Sequence, residues 1–285
     1  MTTETPEFVM PWLPEGHTMV LPGRGEVFYR LHRHPDVAAP TVLLLHGWTA
    51  SADVQFFTAY EALAEHVTIV AIDHRGHGRG LRNPAPFELT DVADDAALLV
   101  EGLGVGPVIT VGYSMGGPIS LLLAHRHPEL VRGVVVQATA LEWREHWWER
   151  WQWKTVRMMG AFMRSRMVAR LMDRQLKRLL GPDHPMLPYM PWMAGEFNRN
   201  EVSQLINAGR SLGRYDARDF APDLGVPAAS LITTRDRLVK PSKQRALAAA
   251  LGAHVIEVAD DHLVSLTSPD TFSKVTVELV QYVNG

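Results

Sequence analysis

The chain has 285 residues, a formal net charge of −3 and no cysteine. A chain of this length is expected to fold as one large domain, alone or with an inserted subdomain. The absence of cysteine excludes disulfides, thiolate nucleophiles and thiolate metal sites, and 28 basic against 31 acidic residues give no case for nucleic-acid binding. The first residues lack the features of a secretory signal, and no apolar run is long enough for a transmembrane helix. We therefore expect a cytoplasmic protein.

Short apolar runs alternate with segments of helical periodicity along the chain. Residues 26–32 alternate apolar and polar side chains and are predicted to form an exposed edge strand. The continuous apolar runs that follow are typical of strands buried on both faces of a parallel sheet. They occupy residues 41–45, 67–72, 107–111, 131–136, 228–233 and 253–258. Helices are predicted over residues 55–66, 91–100, 118–125, 243–251 and 270–283.

This alternation predicts an α/β fold with a mostly parallel central sheet flanked by helices. Thr90 precedes an acidic first turn and is predicted to be the N-cap of the second helix. Ligands of such sheets bind beyond the carboxyl ends of the strands. The residues that suggest chemistry all follow the ends of predicted strands.

The segment Gly112-Tyr113-Ser114-Met115-Gly116 matches the G-x-S-x-G pattern between a predicted strand and a predicted helix. A nucleophilic serine there stands on a sharp turn, and its hydroxyl projects above the sheet. Small residues at 112 and 116 allow the strand and the helix to approach each other. Ser114 is therefore the candidate nucleophile.

A serine hydroxyl needs a base, and the base needs an orienting carboxylate. His262 follows the strand at 253–258, and Asp236 follows the strand at 228–233, which gives the chain order Ser, Asp, His. Asp260 and Asp261 compete for the role of the acid. They lie too close to His262 in the chain to orient its ring from behind. His262 is predicted to be the base and Asp236 the acid.

Acyl transfer also needs two donors aimed at the developing oxyanion. The backbone N–H of Met115, directly after the nucleophile, is one candidate. The backbone N–H of Trp48 is the other, because His46-Gly47-Trp48 ends the first buried strand and Gly47 allows the backbone to turn under the site.

With these residues in place, the chain resembles the serine α/β-hydrolases over essentially its whole length. The resemblance is carried by His46-Gly47-Trp48, Asp73-x-Arg75-Gly76-His77-Gly78, Gly112-x-Ser114-x-Gly116-Gly117, Asp236 and His262. It implies an α/β-hydrolase fold with a triad of Ser114, Asp236 and His262 and an oxyanion hole of Trp48 and Met115. The Asp73 loop resembles the structural turn of the family. Arg79 departs from the small hydroxyl residue that is frequent at its position.

Two other patterns are rejected as sites. His74 and His77 lie in a loop with no evident third ligand, so no metal is predicted. The glycines at 102, 104 and 106 precede a strand, whereas a dinucleotide fingerprint follows one. No cofactor is predicted.

The resemblance implies a helical cap at residues 141–212, inserted into a catalytic domain of residues 1–140 and 213–285. Six of the 8 tryptophans and eight of the 12 methionines lie between residues 141 and 215, with 13 basic and 7 acidic residues. Most of these apolar side chains are expected to pack the cap on the main domain, and the rest to line a pocket for a bulky apolar group. The predicted lining residues are Trp48, Tyr113, Trp147, Trp151, Met158 and Leu238. For the basic charge, a solvated face is favoured over contact with an anionic membrane surface.

The leading hypothesis is hydrolysis of a small hydrophobic carboxylic ester through an acyl-serine intermediate, as in an esterase or a monoacylglycerol lipase. Other members with the same triad are carbon–carbon bond hydrolases of aromatic ring-cleavage products, cofactor-free perhydrolases (haloperoxidases) and acyltransferases. A non-catalytic ligand-binding protein of the same fold is the alternative of another class. Epoxide hydrolases and haloalkane dehalogenases carry an aspartate where Ser114 stands, which argues against both.

Overall fold

The structure is a computed structural model that describes residues 9–83, 85–144 and 174–285. Across these residues an eight-stranded sheet has the order β1-β2-β4-β3-β5-β6-β7-β8. The strands are β1 (Glu15–Leu21), β2 (Gly25–His32), β3 (Thr41–Leu45), β4 (Thr68–Ile72), β5 (Val108–Tyr113), β6 (Val131–Gln137), β7 (Ala228–Thr233) and β8 (His254–Val258). The helices used below are α1 (Ala52–Ala64), α2 (Leu89–Leu103), α3 (Gly116–Arg126), α4 (Met190–Phe197), α5 (Val202–Leu212), α6 (Pro241–Ala250), α7 (Val264–Thr267) and α8 (Pro269–Asn284).

Strands β3 to β8 are parallel, whereas β1 and β2 are antiparallel to their neighbours. The predicted α/β fold with a mostly parallel sheet is confirmed. The prediction that residues 26–32 form an exposed edge strand is wrong, because β1 pairs along β2 from Glu15↔Leu31 to Leu21↔Gly25. Strand β1 is the edge.

The parallel strands are apolar on both faces because helices cover both faces of the sheet. Leu43 and Leu45 of β3 contribute to a core with α2 and α3. Val42 and Leu44 of the same strand contribute to a core with α1 and α8 on the opposite face. This two-sided burial keeps the strands in register, and their carboxyl ends therefore form one edge.

Helix α2 begins at Leu89, so Thr90 is not its N-cap. The hydroxyl of Ser211, on α5, accepts a hydrogen bond of 3.0 Å from the Leu89 backbone N–H. A distant side chain thus takes the place of the local cap.

The ends of the predicted cap lie together. Glu142 forms an isolated antiparallel bridge with Asp216, and the Ala217 N–H donates to the Leu141 carbonyl. In the described part of residues 141–212, Trp192 and Met193 of α4 are buried against α1, and the Trp192 ring meets the Phe57 ring edge-on. These side chains pack α4 against α1. No helix in the described ranges is long and apolar enough to cross a membrane.

Candidate active site

Ser114 occupies a strained turn between β5 and α3. Its φ angle is +51°, which is rare for a residue with a side chain. Its backbone N–H donates to the Gln137 carbonyl, and its carbonyl accepts from the Gly117 N–H. A Cβ atom at Gly112 would overlap the Gly116 carbonyl, and one at Gly116 would overlap the Leu45 carbonyl. The small residues at 112 and 116 therefore allow the close approach that the turn requires.

The structure brings the three predicted catalytic side chains into one line of hydrogen bonds. His262 Nε2 lies 3.0 Å from Ser114 Oγ, and His262 Nδ1 lies 2.7 Å from Asp236 Oδ2. When the Nδ1–H of His262 donates to the Asp236 carboxylate, Nε2 carries no proton and can accept one from the serine hydroxyl. This arrangement suits proton transfer from Ser114 to His262.

Five hydrogen bonds hold the Asp236 carboxylate, whose side chain is fully buried. Oδ1 accepts from the backbone N–H groups of Leu238 and Val239, each at 2.8 Å. Besides His262, Oδ2 accepts from Thr233 Oγ1 at 2.9 Å and from Gln244 Nε2 at 3.0 Å. Burial alone would raise the pKa of Asp236, but the bonds to its partners outweigh it and hold the pKa below the usual value. Thr233 and Gln244 were not found by sequence reasoning, because nothing in the local pattern distinguishes them from ordinary strand and helix residues.

Tyr113, predicted to contact substrate, lies behind the site. It is 2% exposed, and its hydroxyl donates a 2.7 Å hydrogen bond to the His262 carbonyl. Its ring also meets the His262 ring edge-on, with centroids 5.8 Å apart. Leu238, another predicted contact, is 74% exposed on the turn after Asp236. The predicted lining residues Trp147, Trp151 and Met158 lie outside the described residues.

The predicted oxyanion loop passes beside the nucleophile. A Cβ atom at Gly47 would lie 3.4 Å from Ser114 Cβ, and Met115 follows Ser114 directly before α3. The half-buried Trp48 donates its indole N–H to the Leu205 carbonyl of α5 at 2.9 Å. The structure thus brings the loop of Trp48 and the residue Met115 to the same end of the sheet as Ser114.

Two residues of the predicted cap bond to loops at this end of the sheet: Asn200 to the loop of Trp48, and Glu196 to the loop after β4. Asn200 Nδ2 donates to the Thr49 carbonyl at 2.6 Å, and Asn200 Oδ1 accepts from the Gly78 N–H at 2.8 Å. Arg79 forms two 2.7 Å hydrogen bonds with the buried Glu196 of α4. Arg79, which replaces the small hydroxyl residue frequent in the resembled family, therefore forms an ion pair between the loop after β4 and α4.

A buried histidine cluster, consisting of His46, His74 and His77, adjoins the predicted oxyanion loop. His46 Nδ1 lies 2.8 Å from the Gly47 carbonyl, and His46 Nε2 accepts the His74 backbone N–H at 3.0 Å. Burial lowers the pKa of all three rings, to about 3 for His74 and about 4 for His77. Within the ranges that the structure describes, no group of three His, Cys, Asp or Glu side chains is arranged to hold a metal ion.

Comparisons with known proteins agree with this architecture. The sequence profile of a family described as alpha/beta hydrolase fold matches residues 40–269. The chain is 26% identical over 260 residues to a putative carbamate hydrolase RutD of Agrobacterium fabrum, a match covering 86% of this chain and 94% of that protein. A second match, 38% identical over 98 residues, covers 34% of this chain and 35% of the 2-(acetamidomethylene)succinate hydrolase of Mesorhizobium japonicum, so it spans about a third of that relative. The enol-lactonase structure from Burkholderia xenovorans shares the fold with a TM-score of 0.76 at 24% identity, over 93% of this chain and 100% of that chain.

Proposed function

The chain belongs to the alpha/beta hydrolase fold family, and we propose that it is a serine hydrolase that cleaves a carboxylic ester through an acyl-serine intermediate. The observation that carries this proposal is the unbroken line of hydrogen bonds from Ser114 Oγ through His262 to Asp236, at 3.0 and 2.7 Å. The strained backbone of Ser114 supports it, because strain of this kind is concentrated at functional sites.

In the proposed mechanism Ser114 Oγ attacks the acyl carbonyl while His262 Nε2 takes its proton. The new C–O bond pushes the carbonyl electron pair onto oxygen, and the N–H groups of Trp48 and Met115 stabilise that oxyanion. Asp236 stabilises the imidazolium, which then gives its proton to the departing alcohol. A water molecule, deprotonated by His262, releases the carboxylic acid and restores Ser114.

We propose a hydrophobic acyl or aromatic group for the substrate. The support is the content of Trp and Met in the stretch 141–212, which we propose to be a cap over the site. In the described part of that stretch, Met186, Met190 and Trp192 are buried in the core shared with α1. The pocket side chains would therefore come from other apolar residues of the cap.

Carbamate hydrolysis is a second candidate function. It is favoured by the relative named putative carbamate hydrolase RutD, because that match covers 86% of this chain. The same residues would serve, since a carbamate also presents a carbonyl carbon to the serine and a leaving group to the imidazolium.

The test is labelling with a fluorophosphonate, followed by intact-mass measurement. We expect one adduct on the wild-type protein and none on Ser114→Ala, and a loss of p-nitrophenyl ester hydrolysis by roughly 10⁴-fold or more in the variant. An unlabelled wild type, or an equally labelled Ser114→Ala, would refute the proposal. A series of esters of rising acyl length, with a p-nitrophenyl carbamate beside them, then separates the two candidate functions by kcat/KM.

A further inference from the structure

Two residues outside the predicted triad contact its acid. Thr233 is the last residue of β7, and Gln244 lies on α6, eleven residues later; both are almost completely buried. Thr233 Oγ1 and Gln244 Nε2 lie 2.9 and 3.0 Å from Asp236 Oδ2, the same oxygen that His262 contacts. One carboxylate oxygen is thereby fixed by three groups from three different elements.

The orientation of the Gln244 amide is fixed from both ends. Its Oε1 accepts the Thr233 backbone N–H at 2.9 Å, and its Nε2 donates to the Val239 carbonyl at 2.8 Å. A reversed amide would place oxygen against the Val239 carbonyl and N–H against the Thr233 N–H, which cannot bond. The second N–H of Gln244 must therefore point toward Asp236 Oδ2 and the adjoining Thr233 hydroxyl, 3.0 Å away.

We propose that Gln244 and Thr233 are positioning residues, which hold Asp236 Oδ2 on His262 Nδ1 and set the pH at which the enzyme becomes active. This inference rests on the proposed function of the Ser114, His262 and Asp236 line. Neither residue contacts the reacting atoms; both act through Asp236.

Removal of one donor has two expected consequences. The carboxylate loses a fixed contact, so the imidazole is oriented less well and kcat falls. The carboxylate charge is also spread over fewer donors, so it attracts the imidazolium more strongly. The imidazolium then persists to higher pH, and the acid limb of the kcat/KM profile moves upward by roughly 0.3 to 1 pH unit.

The experiment compares Gln244→Met and Thr233→Val with Thr276→Val in the full chain. Thr276 is a matched control, because it is also completely buried and its hydroxyl is hydrogen-bonded, at 2.9 Å, to Gln137 Nε2 and not to Asp236. With a p-nitrophenyl ester, we expect the first two variants to lose about tenfold in kcat with little change in KM, and their acid limb to move upward. Thr276→Val should leave the midpoint of that limb in place.

The outcomes separate this inference from the proposed function. Absence of fluorophosphonate labelling on the wild type would refute the proposed function. If the wild type is labelled and active, but Gln244→Met and Thr233→Val keep its midpoint of the acid limb, only the positioning role is refuted. If thermal melts show that Gln244→Met does not fold, the near-isosteric pair of Thr233→Val and Thr276→Val decides the question.

Discussion

Tyr113 precedes the candidate nucleophile, and its hydroxyl bonds to a carbonyl that lies 149 residues further along the chain. Burial raises the pKa of Tyr113 well above its usual value, so the phenol remains a donor at any working pH. The bond holds the backbone of His262, while Asp236 holds its ring. The same strand end therefore supplies the nucleophile and part of the support for the base.

Tyr113→Phe removes this hydroxyl and keeps the ring. We expect kcat to fall by roughly 3- to 20-fold for every substrate, because the backbone of His262 loses one buried hydrogen bond. Steady-state kinetics on a short-chain and an aromatic ester should show KM changed by less than about twofold in both cases.

Tyr215→Phe is the control for this substitution, because the Tyr215 hydroxyl is buried and has no hydrogen-bond partner among the described residues. Its kcat should match that of the wild type. A change in KM that depends on the acyl group in Tyr113→Phe would instead support the substrate contact that the sequence predicted.

At the scale of elements, the parallel strands were predictable because short continuous apolar runs are typical of strands buried on both faces of a sheet. Strand β1 was missed because most of its side chains are exposed or half-buried and leave no apolar pattern. Its pairing with β2 is made by backbone groups, which every sequence possesses. The start of α2 was misplaced by two residues for a similar reason, since the hydroxyl that accepts the Leu89 N–H comes from Ser211 on a distant helix.

The residues of the candidate site likewise fall into those that the sequence pattern predicts and those that it does not. Ser114, Asp236 and His262 were predictable because each lies just beyond the carboxyl end of a strand of one parallel sheet, and the topology brings those ends together. Gln244 and Tyr113 support the line through long-range contacts of their side chains. Only the packing of α6 and β5 against the neighbouring loops determines such contacts.

The contact between α4 and the loop after β4 includes an ion pair that no sequence pattern predicts. Arg79 bonds to both carboxylate oxygens of Glu196 and lies 3.3 Å from Asp53, and both acids are almost completely buried. Arg30 also bonds to Asp53, at 2.7 Å. Removing the main partner of a buried acid costs stability, whereas neutralising both members of the pair costs less.

Arg79→Met is therefore expected to lower the free energy of unfolding by about 2–4 kcal/mol, because Glu196 stays buried with only Arg199 near it. Adding Glu196→Gln should recover part of that loss. Chemical denaturation of the single and double variants measures both effects.

Arg245→Met is the matched control, because Arg245 pairs with Glu257 on an exposed surface. This substitution should leave the free energy of unfolding close to that of the wild type, because an exposed ion pair is screened by solvent. The role of the buried pair in holding α4 would be contradicted by equal losses of unfolding free energy in Arg79→Met and Arg245→Met. It would also be contradicted if the effects of Arg79→Met and Glu196→Gln simply add in the double variant.

At the scale of the whole molecule, the buried histidine cluster links the strand ends to the loop after β4. The His46 and His74 ring centroids are 4.0 Å apart, and those of His46 and His77 are 5.3 Å apart. Asp73, next to this cluster, has a pKa raised to about 7 by burial and by the charge of Asp53. Imidazoles of low pKa and a carboxyl of high pKa are thus buried together at this end of the sheet.

These groups have opposite effects on stability as the pH changes. A depressed pKa in the folded state, as in the histidines, gives stability that is lost as the pH falls below the unfolded value of 6.5. A raised pKa, as in Asp73, gives stability that is lost as the pH rises toward about 7. Because three histidines oppose one carboxyl, these groups together lower the free energy of unfolding as the pH falls.

The substitution His74→Gln tests the contribution of one of these histidines to the pH dependence of stability. The Gln amide can keep the 3.2 Å bond that His74 Nε2 donates to the His46 carbonyl, but it cannot take up a proton. Between pH 6.5 and about pH 4.5, the wild type should lose about 2–3 kcal/mol more unfolding free energy than His74→Gln, since one fewer proton is bound on unfolding. Urea denaturation at several pH values measures the difference, with the exposed His66→Gln as control. If the free energy of unfolding falls equally with pH in the wild type and in His74→Gln, protonation of the buried cluster does not determine the acid stability of the protein.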